Sequence, residues 1–216
     1  MFYPVFLNLK GKRVVVVGGG EVAQRKVESL LETGAIIVVI SREISERLSS
    51  LANATQIEVK KRSYEAGDCN GAVLVLSATD DSEVSRAVWA EATSAGIMIN
   101  TADQPALCDF IMPALVRRGD LTIAISTGGT SPALAARLRE NVSGVIGPEY
   151  EQLMEMLAKA RPEIRRRVLQ ERDRKALHYQ ILDSDVVTLL QQKDRQGAER
   201  RLREIIEDFV CEGKVS

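Results

Sequence analysis

The side chains most often used for catalysis are scarce in this sequence. Its 216 residues include one histidine, His178, and three scattered cysteines, Cys69, Cys108 and Cys211. A single histidine cannot build a Ser-His-Asp triad or a histidine-rich metal site, and an odd number of cysteines argues against a disulfide framework. We therefore expect no metal ligands, and we interpret His178 as an exposed or half-buried residue of a helix. Acid–base chemistry is left to carboxylates, Lys, Tyr or Ser.

Asp103 is the carboxylate whose position best suits such chemistry. It follows residues 97–100, a predicted strand, and lies in a loop that contains Pro105. Because the carboxyl ends of strands line the ligand cleft in open α/β sheets, this position places Asp103 at the cleft mouth. A turn or cap residue would show the same local sequence, so spacing alone favours the two roles equally.

A glycine-rich turn near the N-terminus indicates a nucleotide site. The valines at 14–17 predict a buried strand, and the apolar period after residue 21 predicts a helix. Between them, Gly18, Gly20 and Ala23 fit the dinucleotide-binding pattern G-x-G-x-x-A in its strand–turn–helix setting. Gly18 would permit the tight turn, and Gly20 would let the backbone approach a pyrophosphate at the helix start. An ordinary glycine turn is the alternative, which the flanking strand and helix disfavour.

The end of the second predicted strand departs from the usual pattern. An acidic residue that binds the adenosine ribose is expected about 20 residues past the glycines. Residues 36–40 form this strand, and Ser41 and Arg42 follow it, with Glu43 a little late. Ser41 can hydrogen-bond a ribose hydroxyl, whereas Arg42 can lie over the adenine or meet a 2′-phosphate. The residues alone therefore leave NAD and NADP both open.

The elements that must position these residues alternate between strand and helix. Residues 72–77 predict a buried strand, followed by a helix at 83–95 and the strand before Asp103. This spacing predicts an α/β fold, a Rossmann-like doubly wound parallel sheet over residues 1–112, with residues 3–9 pairing with or covering its edge. Ala78 and Thr79 should line the nicotinamide side, with helix capping by Asp80 or Asp81 as a compatible alternative. The residues assigned to cofactor binding are Gly18, Gly19, Gly20, Glu21, Val22, Ser41, Arg42, Glu43, Ala78, Thr79 and Asn100.

A second glycine loop lies farther along the chain. Residues 117–120 predict a turn, 121–126 a strand and 133–140 a helix, with Ser131 as N-cap and Pro132 at the first helical position. Such a loop offers backbone N–H groups to an anion, for instance a substrate carboxylate, and a plain capped turn is the alternative. The residues assigned to substrate binding are Thr127, Gly128, Gly129, Thr130 and Ser131.

The last part of the chain, residues 147–216, carries apolar residues at helical spacing and predicts a helical domain. Within it, residues 161–175 hold seven basic and three acidic side chains. A solvated helix face is the ordinary interpretation of this segment. Docking of a polyanionic substrate is the more specific one.

The composition is that of a soluble globular protein, with 45% hydrophobic and 27% charged residues. A formal net charge of -1 gives no general attraction to nucleic acid or to an anionic membrane. The N-terminal residues lack the basic and apolar regions of a signal peptide, and no apolar run reaches membrane-spanning length. We therefore expect a cytoplasmic protein.

Four motifs in order resemble one enzyme family. They are the glycine segment 18–26, the segment 78–81, the segment 100–113 around Asp103, and the loop 126–132. Together they are similar to the siroheme-synthase dehydrogenase family, which includes precorrin-2 dehydrogenase, sometimes joined to sirohydrochlorin ferrochelatase activity. The resemblance covers about the first two thirds of the chain, and the helical remainder matches only in length and character.

This resemblance implies NAD-dependent oxidation of precorrin-2 to sirohydrochlorin in siroheme biosynthesis, with Asp103 at the family's catalytic aspartate. It also implies a homodimer, with residues 113–146 as a dimerisation segment and residues 147–216 helping to hold the tetrapyrrole. Iron insertion is a less specific implication, in which ferrous iron would be a substrate held by the macrocycle. The methyltransferase domain of larger members is not expected in this chain. The alternatives are a dehydrogenase of another polyanionic substrate and a non-catalytic nucleotide-sensing domain.

Overall fold

The computed structural model describes residues 2–211, which divide into two units, 2–112 and 113–211. The elements of the first unit are β1 (Arg13–Val17), α1 (Glu21–Leu31), β2 (Ile36–Ile40), α2 (Glu46–Asn53), β3 (Glu58–Lys60), β4 (Leu74–Ser77), α3 (Ser82–Ser94), β5 (Met98–Thr101) and a 3₁₀ helix (Pro105–Leu107). Its five strands are parallel and lie in the order β3-β2-β1-β4-β5. The predicted doubly wound parallel sheet is confirmed.

The central strand β1 is covered on both of its faces. Val14 and Val16 pack in one core cluster with α1, whereas Val15 and Val17 pack in a second cluster with α3. Alternate side chains of a strand point to opposite faces, so a run of four valines is what a strand between two helical layers requires. Each fully buried valine stabilises the fold by about 1.5–3 kcal/mol, and a charged residue at any of the four positions would break this layer.

The strand register brings the carboxyl ends of the strands to one edge of the sheet. Val17 of β1 lies opposite both Ile40 of β2 and Ser77 of β4, and Ser77 lies opposite Thr101 of β5. The loops that follow these four strands therefore begin side by side. Those loops hold the residues predicted to bind the cofactor and the predicted catalytic carboxylate.

The N-terminal lead-in differs from its prediction, because residues 2–9 form no strand beside the sheet. Tyr3 and Phe6 are 86% and 74% exposed, and only Leu9 joins the core. Pro4 offers no N–H group to a strand ladder, which disfavours pairing at this point.

The second unit begins with an antiparallel hairpin, of which the sequence predicted the turn and the second strand but not the first strand. Its elements are β6 (Ala114–Arg118), β7 (Leu121–Ile125), α4 (Pro132–Val145), α5 (Glu149–Arg167), α6 (Glu171–Leu182), α7 (Val186–Gln191) and α8 (Arg195–Cys211). The predicted turn at 117–120 is too long, since Arg117 and Arg118 pair with β7. Gly119, with a positive φ of 57°, and Asp120 alone make the turn, and a two-residue loop with a left-handed glycine lets both strands run to its ends.

The last four helices share one core, which confirms the prediction of a helical C-terminal domain as far as residue 211. The basic segment 161–175 does not lie on a single helix face, because α5 ends at Arg167 and α6 begins at Glu171. Arg167 pairs with Glu163 and Glu207, and the Arg174 side chain donates to the Val168 carbonyl. Two of the seven basic residues, Arg167 and Arg174, thus stabilise the segment between α5 and α6. Across residues 2–211, no helix is long and apolar enough to cross a membrane.

Candidate functional site

Gly18 is fixed in place by the strands on both sides of β1. Its φ is +120°, and a Cβ atom on it would lie 2.1 Å from the Ala78 carbonyl oxygen at the end of β4. Its N–H donates to the Ile40 carbonyl of β2 at 2.9 Å. A side chain would meet both a forbidden backbone conformation and a backbone atom, so only glycine fits. This is the tight turn that the sequence pattern predicted.

Gly19 has a role that the sequence pattern did not indicate. A Cβ atom on it would lie 1.9 Å from the Glu43 carbonyl oxygen. The Gly19 carbonyl accepts the Ser45 N–H at 2.9 Å, and the Ser41 hydroxyl donates to the Glu43 carbonyl at 2.6 Å. The middle glycine therefore lets the loop after β1 pack directly on the loop after β2.

Gly20 faces open space, in contrast to its two neighbours. It is the N-cap residue of α1, with φ −81°, and a Cβ atom on it would meet nothing within 4 Å. No side chain caps the start of α1. The first N–H groups of this helix, from Glu21 and Val22 onward, are therefore available to an anion. These features fit a pyrophosphate, which needs close backbone approach and free N–H donors.

A cleft of about 370 Å³ opens next to the glycine loop, at the carboxyl ends of β1 to β4. Five of the predicted cofactor residues line it: Gly18, Ser41, Arg42, Glu43 and Thr79. Three further residues, Arg62, Ser63 and Tyr64, form another part of its lining and were not predicted. They follow β3, which pairs with β2, so strand order was the signal that could have found them. This position suits the adenosine half of a dinucleotide.

Arg62 is held by a buried carboxylate. Its two terminal nitrogens lie 2.7 Å from the two oxygens of Asp68, whose side chain is 4% exposed. Asp68 also accepts bonds from the Lys60 ammonium at 3.2 Å and from the Glu65 N–H at 3.0 Å. The hydrogen bonds from Arg62 hold the pKa of Asp68 far below its usual range, although burial opposes this shift. The Arg62 guanidinium is thereby fixed beside the cleft.

Glu91 of α3 organises the rest of the loop after β3. Its carboxylate accepts the Tyr64 hydroxyl and the N–H groups of Gly67 and Cys69, the latter two at 2.8 Å each. Burial, and then the bond to Glu91, raises the pKa of Tyr64 well above its usual value. Burial acts to raise the pKa of Glu91, but the bonds from Tyr64 and the two N–H groups lower it overall. Tyr64 therefore stays a neutral hydrogen-bond donor.

Ala78 and Thr79 take part in the site in different ways. The Ala78 N–H donates to the Val17 carbonyl at 2.7 Å, and its own carbonyl closes on Gly18. Thr79 lines the cleft. Asp81 is the N-cap of α3 and accepts the Glu83 and Val84 N–H groups at 2.9 and 3.1 Å. Helix capping by Asp81 and a place for Thr79 in the lining of the cleft thus occur together.

Asp103 lies two residues beyond the end of β5, and its side chain is exposed. Its φ of 56° is left-handed, which aspartate tolerates better than most residues. The next residue, Gln104, lines an open hollow of about 600 Å³ between α3 and the 3₁₀ helix, together with residues that include Trp89 and Leu107; Asp103 itself is not part of that lining. Asp109, in contrast, bonds the backbone of Ile99 and is structural.

A partly buried polar contact between α1 and β5 escaped the sequence analysis. The Lys26 ammonium of α1 donates to the Asn100 side-chain oxygen at 2.8 Å, and the Asn100 amide donates to the Phe110 carbonyl at 2.9 Å. Burial lowers the pKa of Lys26, against the attraction of Cys108 and Asp103. Lys26 follows Ala23 by three residues on the inward side of α1, and this spacing was the available signal. The Asn100 side chain, predicted to bind the cofactor, is engaged within the protein.

Most backbone N–H groups of the second glycine loop donate to acceptors within the loop itself. Ser131 caps α4 by accepting the Leu134 N–H at 3.2 Å, and Pro132 takes the first helical position, which confirms both predictions. The Thr127 hydroxyl bonds both the N–H and the carbonyl of Ser131, at 3.1 and 3.0 Å. The Gly128 and Thr130 N–H groups also bond within the loop. Among the predicted substrate donors of this loop, the described structure leaves the Gly129 N–H without an acceptor.

Metal binding has no evident site among the described residues. Within residues 2–211, no group of three or more His, Cys, Asp or Glu side chains could hold a metal ion. The three cysteines there are free. His178 is half-buried on α6, as the sequence predicted.

An open parallel sheet whose first strand feeds a glycine loop and an uncapped helix start defines a dinucleotide-binding protein of the Rossmann type. Residues 5–114 match a family model described as putative NAD(P)-binding. Two more models follow, sirohaem biosynthesis protein central at 118–143 and sirohaem synthase dimerisation region at 149–206. The chain belongs to the siroheme-synthase dehydrogenase family.

Individual relatives agree with this assignment. The chain is 38% identical to a siroheme synthase of Nitrosomonas europaea over 208 residues, which are 96% of this chain and 44% of that protein. It is 35% identical to one of Nitrosococcus oceani, over 91% of this chain and 43% of that protein. The chain thus spans less than half the length of these curated relatives. A solved structure, SirC, precorrin-2 dehydrogenase, matches with a TM-score of 0.75 and 29% identity, covering 96% of this chain and all of that one.

The family models divide the second unit differently from our domain prediction. The model described as the dimerisation region covers residues 149–206, in the helical part. The sequence analysis assigns the dimerisation segment to residues 113–146, where the model is described only as central. The dimer interface therefore stays a prediction.

Proposed function

We propose that the protein oxidises precorrin-2 to sirohydrochlorin and reduces NAD to NADH, with release of one proton. The proposal rests on one observation: the glycine loop and Asp103 lie at the same edge of the sheet. The glycine loop follows β1, and Asp103 follows β5, two strands away in the order β1-β4-β5. Two strand spacings are about 10 Å, a reasonable separation for groups that meet the two halves of one extended dinucleotide. The full coverage of the precorrin-2 dehydrogenase structure supports the same substrate.

Each part of the edge has a definite task in this reaction. The backbone of Gly20 and the open start of α1 bind the pyrophosphate. Ala78 and Thr79 follow β4, which lies between β1 and β5, and they line the nicotinamide side, with Thr79 also bordering the cleft of the adenosine half. When bound, the dinucleotide supplies the hydride acceptor. Asp103, at the mouth of the edge, takes the proton that leaves the substrate as the hydride is removed. The hollow that begins at the next residue, Gln104, offers surface to the macrocycle.

The second unit supplies anion-binding groups for a polycarboxylate such as precorrin-2. The Gly129 N–H is one donor, at the loop that we assign to substrate binding. Charged groups attract carboxylates more strongly, and five basic residues of segment 161–175 are exposed. They are Arg161, Arg165, Arg166, Arg172 and Lys175.

We propose a homodimer that uses residues 113–146. The helix α4 in this segment exposes large apolar side chains, with Leu134, Leu138 and Val145 exposed by 50%, 38% and 74%. Such residues on one short helix fit an interface better than a solvated surface. Residues 147–216 would then form the substrate-holding helical domain, and residues 1–112 the cofactor domain.

The central experiment is an absorbance assay of precorrin-2 oxidation with NAD, comparing the wild-type protein with Asp103→Ala. We expect the variant to fold and to bind NAD, because Asp103 is exposed, but to lose at least about a hundredfold in turnover, as is usual for a positioned proton acceptor. Asp80→Ala is the matched control, an exposed carboxylate near the same edge, and it should retain activity. Near wild-type turnover by Asp103→Ala would remove Asp103 from the mechanism.

The same assay separates the alternatives. Dinucleotide binding without precorrin-2 turnover, but with turnover of another polyanion, would indicate a different dehydrogenase. Binding with no hydride transfer to any substrate would indicate a nucleotide-sensing domain. Ferrous iron, added after oxidation is complete, tests the iron insertion that the family resemblance implies.

A further inference from the structure

One wall of the adenosine cleft comes from a segment with no regular secondary structure. Residues 61–73 join β3 to β4 without a strand or helix of their own, and Arg62, Ser63 and Tyr64 of this segment line the cleft. A strand is held in place by its hydrogen-bonded ladder, whereas such a segment depends on its side-chain contacts and on turns. Those contacts therefore decide the shape of the cleft.

The first end of this wall is fixed by Asp68 of the same segment. Asp68 accepts two bonds of 2.7 Å from Arg62 and one of 3.2 Å from the Lys60 ammonium at the end of β3. A side-chain nitrogen of Arg13, on β1, donates to the Asp68 carbonyl at 3.4 Å. These contacts place Arg62, but they do not reach Tyr64.

The second end of the wall is held from outside the segment, by Glu91 of α3. The Glu91 carboxylate accepts the Tyr64 hydroxyl and, at 2.8 Å each, the N–H groups of Gly67 and Cys69. These three donors lie 22 to 27 residues before Glu91 in the chain. Hydrogen bonds to a charged acceptor are about twice as strong as neutral ones, so one side chain fixes Tyr64 together with the two turns behind it.

The bond to Glu91 also determines what Tyr64 can offer to a ligand. Burial, and then this bond, raises the pKa of Tyr64, so its hydroxyl keeps its hydrogen and directs it to Glu91. Tyr64 nevertheless lines the cleft. It therefore meets a ligand there through its aromatic ring, and a flat ring suits a purine base.

We propose that Glu91 is a positioning residue for the dinucleotide: by holding the segment after β3, it places the Tyr64 ring against the adenosine half. Glu91 is not part of the cleft lining, so it acts through the segment and not by contact with the ligand. This inference deepens the proposed function, on which it rests only for the binding of a nicotinamide dinucleotide.

The test is isothermal titration of the full chain carrying Glu91→Gln. An amide keeps one acceptor oxygen but turns an NH₂ group toward donors that the carboxylate had satisfied, so the segment leaves its binding position for part of the time. The apparent dissociation constant rises as that fraction grows. We expect NAD to bind at least fivefold more weakly. ADP-ribose, which has the adenosine half but no nicotinamide, should lose the same factor.

A kinetic measurement separates positioning from general damage to the fold. With NAD at saturating concentration, Glu91→Gln should turn over precorrin-2 within twofold of the wild type, because the bound nucleotide restores the segment. A protein that is merely less well folded would instead lose turnover at every NAD concentration.

Glu58→Gln is the matched control, since it removes the same charge from an exposed position on β3. It should change the NAD affinity less than twofold. Loss of a negative charge near an anionic ligand favours binding, so electrostatics alone predicts the opposite sign for Glu91→Gln.

Tyr64→Phe is an independent variant that keeps the ring and leaves both N–H bonds to Glu91 in place. It should weaken NAD binding at least twofold, but less than Glu91→Gln does. It tests the proposal even if Glu91→Gln does not fold, because wild-type affinity in Tyr64→Phe would overturn the placement of Tyr64 by Glu91.

Three other results would also overturn the inference: unchanged NAD affinity in Glu91→Gln, a larger loss for NAD than for ADP-ribose, or a fall in turnover that saturating NAD does not restore. Unchanged affinity in Glu91→Gln with normal wild-type turnover would leave the proposed function standing. A wild-type protein that binds NAD without oxidising precorrin-2 would remove the proposed function, and the titrations would still decide the role of Glu91.

Discussion

The glycine loop allows a sharp test, because its first and third glycines differ in what surrounds them. Gly18→Ala puts a Cβ atom 2.1 Å from the Ala78 carbonyl oxygen at a φ of +120°. The backbone strain costs about 1–3 kcal/mol, and the forced shift of β4 adds a similar amount. We expect the first unit to lose about 3–5 kcal/mol of unfolding free energy, a large share of the total for a domain.

Gly20→Ala should behave in the opposite way. Its φ of −81° suits alanine, and its Cβ atom would meet nothing within 4 Å. Alanine is a poorer N-cap residue than glycine, so the loss of unfolding free energy should be at most about 1 kcal/mol. The added methyl group would instead occupy the space that a pyrophosphate needs. We expect NAD binding to weaken at least tenfold, or about 1.4 kcal/mol.

The fluorescence of Trp89 allows the unfolding of the first unit to be measured separately. It is the only tryptophan of the chain and lies on α3, next to the core cluster behind β1. Its fluorescence during urea unfolding therefore reports on the first unit, and isothermal titration measures NAD binding by the same variants. The reasoning would be refuted if Gly18→Ala lost less than 1 kcal/mol, or if Gly20→Ala bound NAD as tightly as the wild type.

Further predictions concern the buried polar groups and α4. Asp68→Asn removes the carboxylate that pairs with both Arg62 and Lys60, while Glu65 stays 3.6 Å from Arg62, and it should lower the free energy of unfolding at pH 7. The Asp68 carboxyl has a lower pKa in the folded protein than the value of about 3.9 in the unfolded chain, so its stabilisation is full above that pH. The difference between wild type and variant in urea unfolding should shrink as the pH falls below about 4, and a constant difference would contradict the assignment. Lys26→Met leaves the buried Asn100 oxygen unpaired and should cost about 1–3 kcal/mol in the same assay, whereas the exposed neighbour Arg25→Met should cost little. Leu138→Arg should shift the protein from dimer to monomer in sedimentation without changing its unfolding midpoint at low concentration; an unchanged dimer would place the interface elsewhere.

The sequence was most informative where local chemistry decides the structure. Four valines in a row predict a strand covered on both faces, and Ser131 before Pro132 predicts a helix start; the structure confirms both. Gly18 was recognised because its pattern reports a local turn. The extent of β6 was missed because Arg117 and Arg118 have no strand signature of their own. Their place depends on pairing with β7, which is a non-local property.

The remaining gaps in the site have a similar origin. Arg62 and Tyr64 come to the cleft through the order of the strands and through two carboxylates that are distant or buried, Asp68 and Glu91. Lys26 reaches Asn100 from 74 residues away along the chain. No motif marks such contacts, because each depends on a fold that must already exist. A single sequence shows the residue types but does not show which of them meet.

The glycine loop also explains why the edge of the sheet can be rigid before any ligand binds. Gly18 packs against the loop after β4, and Gly19 packs against the loop after β2, so the three loops are in direct contact with one another. A dinucleotide that meets such a surface loses less free energy to ordering of the protein. Asp103 is different, since it stands exposed on a separate turn after β5. We therefore expect nucleotide binding to depend mainly on the packed loops and turnover to depend on what covers Asp103. Gly20→Ala should then raise the NAD concentration that gives the half-maximal rate. Asp103→Ala should instead lower the maximal rate. If both variants changed the same kinetic constant, the division of labour along this edge would be wrong.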